Sequence, residues 1–248
     1  MNPLAIITGT SSGIGKTLAG MLLEKQWDIV GIARREAPIE HGNYRHVQLD
    51  LAQLEQVQGY FEQTFPRDVT LAGRSRVALI NNSAVLGPVG PLEDLPLADL
   101  AHAFMLNSVV PTWLMGVFTR MCGDTPLTVI NISSGAAYRP LAGWGAYCST
   151  KAALRMAGQV FGEDTTANAR FRSRQGRLAV VNYSPGVTNT PMQDEVRSFG
   201  KEIFPGVERF VQLKESGKLK DPTIPMADVV ALLERDDLPP YSEVNHGG

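Results

Sequence analysis

Short apolar runs recur along the chain at intervals that mostly leave room for one helix, and this rhythm narrows the fold more than any single residue does. The runs cover residues 4–8, 28–33, 45–49, 77–80, 127–132 and 178–183. Apolar residues recur at helical spacing over 13–26, 53–65, 96–121 and 143–168, and again over 222–235. The runs are continuous rather than alternating, as expected of strands covered on both faces. Strands separated by helices pair in parallel through right-handed crossovers. The expected fold is therefore α/β, a doubly wound parallel sheet of about six or seven strands with helices on both faces. No repeat or linker divides the 248 residues, so one domain over 1–248 is expected. After Pro185 the rhythm breaks. Residues 186–222 mix Gly, Pro, Lys and Glu, and form the expected substrate-binding loop, since loops at strand carboxyl ends carry the sites of such folds. The tail is expected to be loosely held, with a short strand near residues 243–244.

Charge excludes several partners. With 23 Lys and Arg against 25 Asp and Glu, the net charge of −2 gives no global field for nucleic acid or an anionic membrane. Apolar runs such as 77–80 fall short of the ~20 residues that span a bilayer. Met1-Asn2-Pro3-Leu4-Ala5 lacks the basic and apolar regions of a signal peptide. Cys122 and Cys148 read as two thiols in a reducing compartment, so a cytoplasmic location is expected. His41, His46, His102 and His246 lack metal-ligand spacing, and no metal site is expected. Arg170, Arg172, Arg174 and Arg177 read as a solvated connector.

Thr8-Gly9-Thr10-Ser11-Ser12-Gly13-Ile14-Gly15 joins the first strand to the first helix. Glycines there let the backbone turn and approach a pyrophosphate, and the helix N-terminus offers free N–H groups. Gly9, Ser11, Ser12, Gly13, Ile14 and Gly15 are the candidate phosphate-binding residues. The second strand ends Ala33-Arg34-Arg35, with no carboxylate until Glu36. A carboxylate would take a ribose 2′-OH; a guanidinium fork suits a 2′-phosphate. Arg34 and Arg35 therefore point to NADP(H). Further along, Tyr147 and Lys151 are four apart in a helical segment, so both leave one face and can converge on one ligand. A neighbouring ammonium should lower the phenol's ordinary pKa of about 10.

The spacing G-x-x-x-G-x-G and the Tyr-x-x-x-Lys pair resemble the short-chain dehydrogenase/reductase family from residue 4 to about 192, which implies a Rossmann-type fold. The resemblance implies a catalytic tetrad of Asn107, Ser134, Tyr147 and Lys151. In it Tyr147 donates the proton and Ser134 bonds the same carbonyl oxygen. Lys151 binds the nicotinamide ribose, and Asn107 holds a water relay behind it. Ser133 is the nearest rival to Ser134. The resemblance further implies cofactor contacts from Asp50 and Leu51, from Asn82, Ser83 and Ala84, from Tyr147 and Lys151, and from Pro185, Gly186, Val187 and Thr190. Ala84 stands where the family has glycine, which questions the local backbone.

Gly143 to Cys148 and Val181 to Gly186, followed by Thr190-Pro191-Met192-Gln193, resemble the sepiapterin reductase and benzil reductase branch. That implies Ser134, Tyr147, Cys148, Gly186 and Met192 around the substrate, and a homodimer built on the two helices holding Phe104, Leu114, Val117, Phe118, Leu154 and Phe161. Those apolar residues also read as core. Asn245 stands where that branch anchors a pterin with an aspartate, and Glu243 is expected to face elsewhere, so a small ketone or 1,2-dicarbonyl is favoured. The implied activity is NADPH-dependent carbonyl reduction. An alcohol dehydrogenase working oxidatively, or a regulatory NADP(H)-binding protein without turnover, remain as alternatives.

Overall fold

Seven strands pair in parallel in the order β3-β2-β1-β4-β5-β6-β7. They are β1 Leu4–Thr8, β2 Asp28–Ala33, β3 Tyr44–Gln48, β4 Val77–Asn81, β5 Leu127–Ile132, β6 Leu178–Ser184 and β7 Tyr241–Asn245. The helices are α1 Gly13–Glu24, α2 Leu54–Gly59, α3 Phe65–Asp68, α4 Leu97–Phe104, α5 Val110–Cys122, α6 Gly145–Ala167, α7 Pro191–Arg197, α8 Val207–Glu215 and α9 Thr223–Leu233. This computed structural model describes residues 1–174 and 176–247, and the side chains of residues 172 and 173 lie outside the described set. The architecture is the expected Rossmann-type sheet. Its strand order reverses between β1 and β4, so a crevice opens there at the carboxyl ends.

Strand periodicity divides the core. Leu4, Ile6, Leu79, Val129 and Val180 pack on one face with Phe61, Phe65, Leu114 and Phe118. Ala5, Ile7, Ile80, Ile130 and Val181 pack on the other with Leu18 and Leu22 of α1 and Met226 and Val229 of α9. Successive residues of each strand point to opposite sides, and both sides are apolar because helices cover both.

A buried polar ladder crosses this apolar sheet. Asn81, Asn131 and Asn182 are in register on β4, β5 and β6. Asn81 Nδ2 donates to Asn131 Oδ1 at 2.8 Å, and Asn131 Nδ2 donates to Asn182 Oδ1 at 3.0 Å. Asn182 Nδ2 goes on to the Arg155 carbonyl of α6 at 3.1 Å and to the Tyr241 hydroxyl of β7 at 3.0 Å. Gly158 lets α6 lie against this amide, since a Cβ there would stand 3.0 Å from Asn182 Oδ1.

Four expectations are corrected. The helix expected over 96–121 is interrupted by a π turn, Met105–Val109, between α4 and α5; a second π turn, Tyr60–Thr64, joins α2 to α3 and the segment runs on to Asp68. Apolar spacing does not register one inserted residue. The whole helix Leu97–Cys122 is long and apolar enough to cross a membrane, which short apolar runs did not reveal, yet half of it is buried inside the domain. The tail is not loose: β7 pairs with β6 from Val180↔Tyr241 to Ser184↔Asn245. Finally, the arginine run connects α6 to β6 with Arg170 and Arg177 exposed as expected, but it is not solvated throughout. Arg174 is buried and donates to the Thr119 carbonyl at 2.6 Å, Arg177 donates to that of Asp124 at 3.3 Å, and Arg170 lies over the Phe171 ring. Arg172 falls outside the described side chains.

The segment expected as an irregular loop carries α7 and α8, closed at its base by a bridge between Thr188 and Lys220. Its Phe204 stacks on Trp144 at 4.9 Å between ring centroids, and Phe210 lies 5.4 Å from the same ring. Those contacts seat the segment over the start of α6. Of the helix residues expected as core, Leu114, Val117, Phe118 and Leu154 are buried, and Phe104 and Phe161 half-buried.

Candidate active site

A cleft of ≈ 680 Å³ follows the carboxyl ends of the strands from β2 to β7. Its first wall is the glycine turn. Gly9 has φ +78°, and its Cβ would stand 2.8 Å from Asn82 Nδ2. Asn82 staples this turn: its Nδ2 donates to the Thr8 carbonyl at 2.8 Å and the Gly9 carbonyl at 3.3 Å. Thr8 Oγ1 accepts from the backbone N–H of both Asn82 and Ser83 at 2.9 Å. The turn thus opens α1 with Ser12 at its N-cap making no side-chain cap. Its first N–H groups are left for an anion.

Gly9, Ser11, Ser12, Gly13 and Ile14 line the cleft, with Arg34, Arg35, Asp50, Leu51, Asn82, Ser83 and Ala84. Gly15 does not. A Cβ on Gly15 would lie 2.3 Å from the Gly9 carbonyl oxygen, so this glycine serves the packing of helix against turn and touches no ligand space. Ala84 raises no backbone conflict, because Gln26 is the described non-glycine residue with positive φ. A nicotinamide dinucleotide fits the set: a glycine cradle at a helix N-terminus, two guanidinium groups at the end of β2, and a long crevice between them and Tyr147.

The second wall holds Ser134, Tyr147 and Lys151; Asn107, expected with them, does not line the cleft and is fully buried behind it. Ser134 follows β5 and caps a short 3₁₀ turn; its Oγ accepts from the Ala136 N–H at 3.2 Å, leaving its own proton free to donate. The Tyr147 phenol and Ser134 line the cleft together, and the Ser134 hydroxyl acts on the phenol to lower its pKa. Lys151 Nζ lies 5.7 Å from the centre of the Tyr147 ring and donates to the Ile132 carbonyl at 2.8 Å. Ser133 also lines the cleft, but its buried hydroxyl has no partner and it is Ser134 that acts on Tyr147.

Asn107 owes its place to the π turn. Its Oδ1 accepts from Val85 N at 2.9 Å, and its Nδ2 donates to Val85 O at 2.8 Å and to Thr150 Oγ1 at 3.1 Å. Ser108 adds a bond to the Thr150 carbonyl at 2.8 Å. The extra residue of the π turn turns Asn107 and Ser108 inward, where they clamp α6 beside Lys151.

Burial sets the electrostatics. Tyr147 and Lys151 are 7% and 3% exposed. Burial pushes the Tyr147 phenol up to about 12, with the Ser134 hydrogen bond pulling weakly the other way. Burial also pushes the Lys151 ammonium down to about 8. The expected lowering of the phenol by its neighbouring lysine is therefore overridden, because desolvation disfavours both charged forms.

Pro185, Gly186, Val187, Thr190 and Met192 line the cleft beyond β6. Cys148 does not: its Sγ points to the Arg139 carbonyl at 3.9 Å, and it packs behind Trp144 and Tyr147. Asn245 and His246 do line it. Glu243 is held instead by Arg155 of α6 at 2.7 Å. The structure adds His246, which spacing arguments set aside. Its Nδ1 lies 2.6 Å from Asp228 Oδ2, and the same oxygen accepts from the buried Tyr183 hydroxyl at 2.9 Å. Its position one residue past a strand was the available signal.

The family model described as short chain dehydrogenase matches residues 3–200. The chain belongs to the short-chain dehydrogenase family. It is 35% identical over 236 residues to "Benzil reductase ((S)-benzoin forming)" of Bacillus subtilis (strain 168), covering 94% of this chain and 93% of that one. It is 30% identical over 256 residues to sepiapterin reductase of Bos taurus, covering 94% and 90%. A solved short chain dehydrogenases/reductase from Saccharomyces cerevisiae has the same fold, with TM-score 0.78, 23% identity, and coverage of 100% of this chain and 97% of that one. Membership makes this chain an oxidoreductase of the CH–OH/C=O pair that works with a nicotinamide cofactor.

The glycine turn makes a prediction. In Gly15→Ala the added methyl meets backbone 2.3 Å away, so the turn must shift. Binding of a nicotinamide dinucleotide, read by fluorescence titration, should weaken about tenfold or more while far-ultraviolet circular dichroism keeps its native shape.

Proposed function

We propose that this protein is an NADPH-dependent carbonyl reductase acting on a small ketone or 1,2-dicarbonyl. The observation that carries the reading is that Tyr147, Ser134 and Lys151 line one end of the cleft, with Lys151 Nζ 5.7 Å from the centre of the Tyr147 ring. Bound NADPH would supply hydride to the carbonyl carbon. Ser134 donates a hydrogen bond to the carbonyl oxygen, its Oγ already oriented by the Ala136 N–H. Tyr147 gives that oxygen its proton as negative charge builds there. The Lys151 ammonium favours the phenolate left behind, and Asn107 and Ser108 hold α6, with both side chains, in place.

The protonation state of Tyr147 is the one a proton donor needs. A phenol pushed up to about 12 keeps its proton near neutral pH and is ready to donate it, whereas the oxidative direction needs phenolate first. A regulatory role without turnover is disfavoured because the acid and its lysine are both present and meet.

Arg34 and Arg35 support NADPH over NADH. Both are exposed at the rim beyond β2, and the described residues give neither an ion-pair partner. Gly9 to Ile14 would take the diphosphate, Asp50 and Leu51 the adenine, and Pro185 to Val187 with Thr190 the nicotinamide half. A pterin is disfavoured because Asn245 offers no charge and Glu243 is engaged by Arg155. A homodimer is supported by Val109, Met156 and Val160, exposed along the π turn and α6.

Three outcomes are expected. Tyr147→Phe should cut carbonyl reduction by about a thousandfold or more, followed by NADPH absorbance, while NADPH binding changes little; a wild-type rate with benzil or 1-phenylpropane-1,2-dione would overturn the mechanism. Reductive turnover should hold level below about pH 8 and decline above it, as Lys151 loses its charge; a flat profile through pH 10 would speak against the lysine's part. Replacing Arg34 and Arg35 together by Ala should raise KM for NADPH far more than for NADH, and equal increases would reverse the cofactor assignment.

A further inference from the structure

The substrate end of the cleft combines aromatic and apolar walls with unpaired positive charge. Trp144, Phe210, Leu86 and Val196 line it, and Arg139 and Arg209 line it with them. Arg139 is seated by a glycine. Its guanidinium lies against Gly135, with Nη2, Nε and Cζ at 3.2, 3.7 and 3.8 Å from where a Cβ would stand. Gly135 follows Ser134 in the chain, so a permanent cation is held one residue along from the hydroxyl that would receive the carbonyl oxygen, on the exposed rim of the same cleft. Arg209 is on α8, next to Phe210.

Six arginines of this molecule are neutralised. Arg45, Arg74, Arg76, Arg155, Arg197 and Arg235 each pair with a carboxylate. Among the described residues Arg139 and Arg209 do not; both are exposed, and with Arg34 and Arg35 at the other end they are the unpaired arginines that line the cleft. Glu195 is the carboxylate lining the same end, and its charge is outnumbered by the two guanidinium groups and the Lys151 ammonium. A guanidinium beside an apolar pocket is matched to a planar anion, which it can take in a two-point hydrogen bond.

From this we infer that the substrate is an aryl α-keto acid, its ring against Trp144 and Phe210 and its carboxylate on Arg139, with Arg209 at the mouth. The inference rests on the reductase reading above and narrows its substrate class. In an α-keto acid the carboxylate carbon is bonded directly to the reacting carbonyl, as the second carbonyl is in a 1,2-diketone. With the ketone oxygen on Ser134 and Tyr147, the carboxylate would be taken by Arg139, which lines the same cleft. The ketone carbon gains hydride from NADPH, its oxygen gains the Tyr147 proton, the C=O π bond is lost, and NADP⁺ and a 2-hydroxy acid leave. The carboxylate is unchanged.

Phenylglyoxylate and 1-phenylpropane-1,2-dione test this, because they differ by a carboxylate oxygen in place of a methyl. Wild-type enzyme should reduce both with NADPH. In Arg139→Gln, kcat/KM should fall at least tenfold more for phenylglyoxylate than for the dione, through KM, and Arg139→Lys should recover part of the loss. Calorimetric binding of phenylglyoxylate to the enzyme with NADP⁺, where no hydride can move, should weaken in step and should weaken further with added salt. Equal losses on both compounds, or wild-type reduction of the dione alone, would overturn the keto-acid assignment and leave the reductase reading intact. Reduction of neither compound would overturn both.

Discussion

The asparagine ladder on β4, β5 and β6 is the constraint on which the site depends. Sheets of near-continuous Val, Ile and Leu gain burial energy in more than one register, since every residue is apolar on either face. Three buried amides at one level remove that freedom, because a slipped strand would leave an amide without a partner in low-dielectric surroundings, at a cost of about 1–3 kcal/mol for each unsatisfied group. The ladder sits at the carboxyl end of the strands. Asn82, Ile132 and Tyr183, each one residue further on, are therefore level, and so are the loops that follow them. Asn182 extends the same bonding to α6 through the Arg155 carbonyl, so the helix that carries Tyr147 and Lys151 is indexed to the sheet that carries Ser134.

Much of this was legible in the residues. Six strands and the main helices followed from apolar runs and spacing, because burial on both faces of a parallel sheet leaves an unbroken signature. The glycine turn was legible for another reason, its place between a strand end and a helix start, whereas Asn107, Ser134, Tyr147 and Lys151 were picked out by their resemblance to a family pattern. What escaped depends on side chains meeting across distance. No local pattern shows that Gly15 packs on the Gly9 carbonyl, that Cys148 turns behind the tyrosine, or that Arg174 reaches Thr119. The π turn at Asn107 escaped because it changes the helix count by one residue without changing its composition. The seventh strand was visible as a fragment only; its stability comes from Tyr241 and Glu243 bonding to Asn182 and Arg155, partners more than fifty residues away.

The pairing of Tyr147 with Lys151 shows why spacing alone misjudges chemistry. Four residues on a helix bring two side chains to one face, and the expected result was a phenol acidified by an ammonium. The fold instead buries both, Tyr147 against Trp144 and the α7–α8 segment and Lys151 against the end of β5. Burial raises one group and lowers the other, so the pair is poised with less charge than it would have in water. A charge created on the substrate oxygen is then felt strongly, because little water remains to screen it.

The last strand has a practical meaning for anyone handling the protein. Asn245 and His246 are part of the cleft wall, the latter fixed through Asp228 to the buried Tyr183 hydroxyl. Whatever polypeptide follows them leaves the domain from the rim of its own reaction chamber. A purification handle fused behind this strand would hang at the doorway through which substrate enters, whereas one placed ahead of β1 starts at the opposite, amino-terminal edge of the sheet.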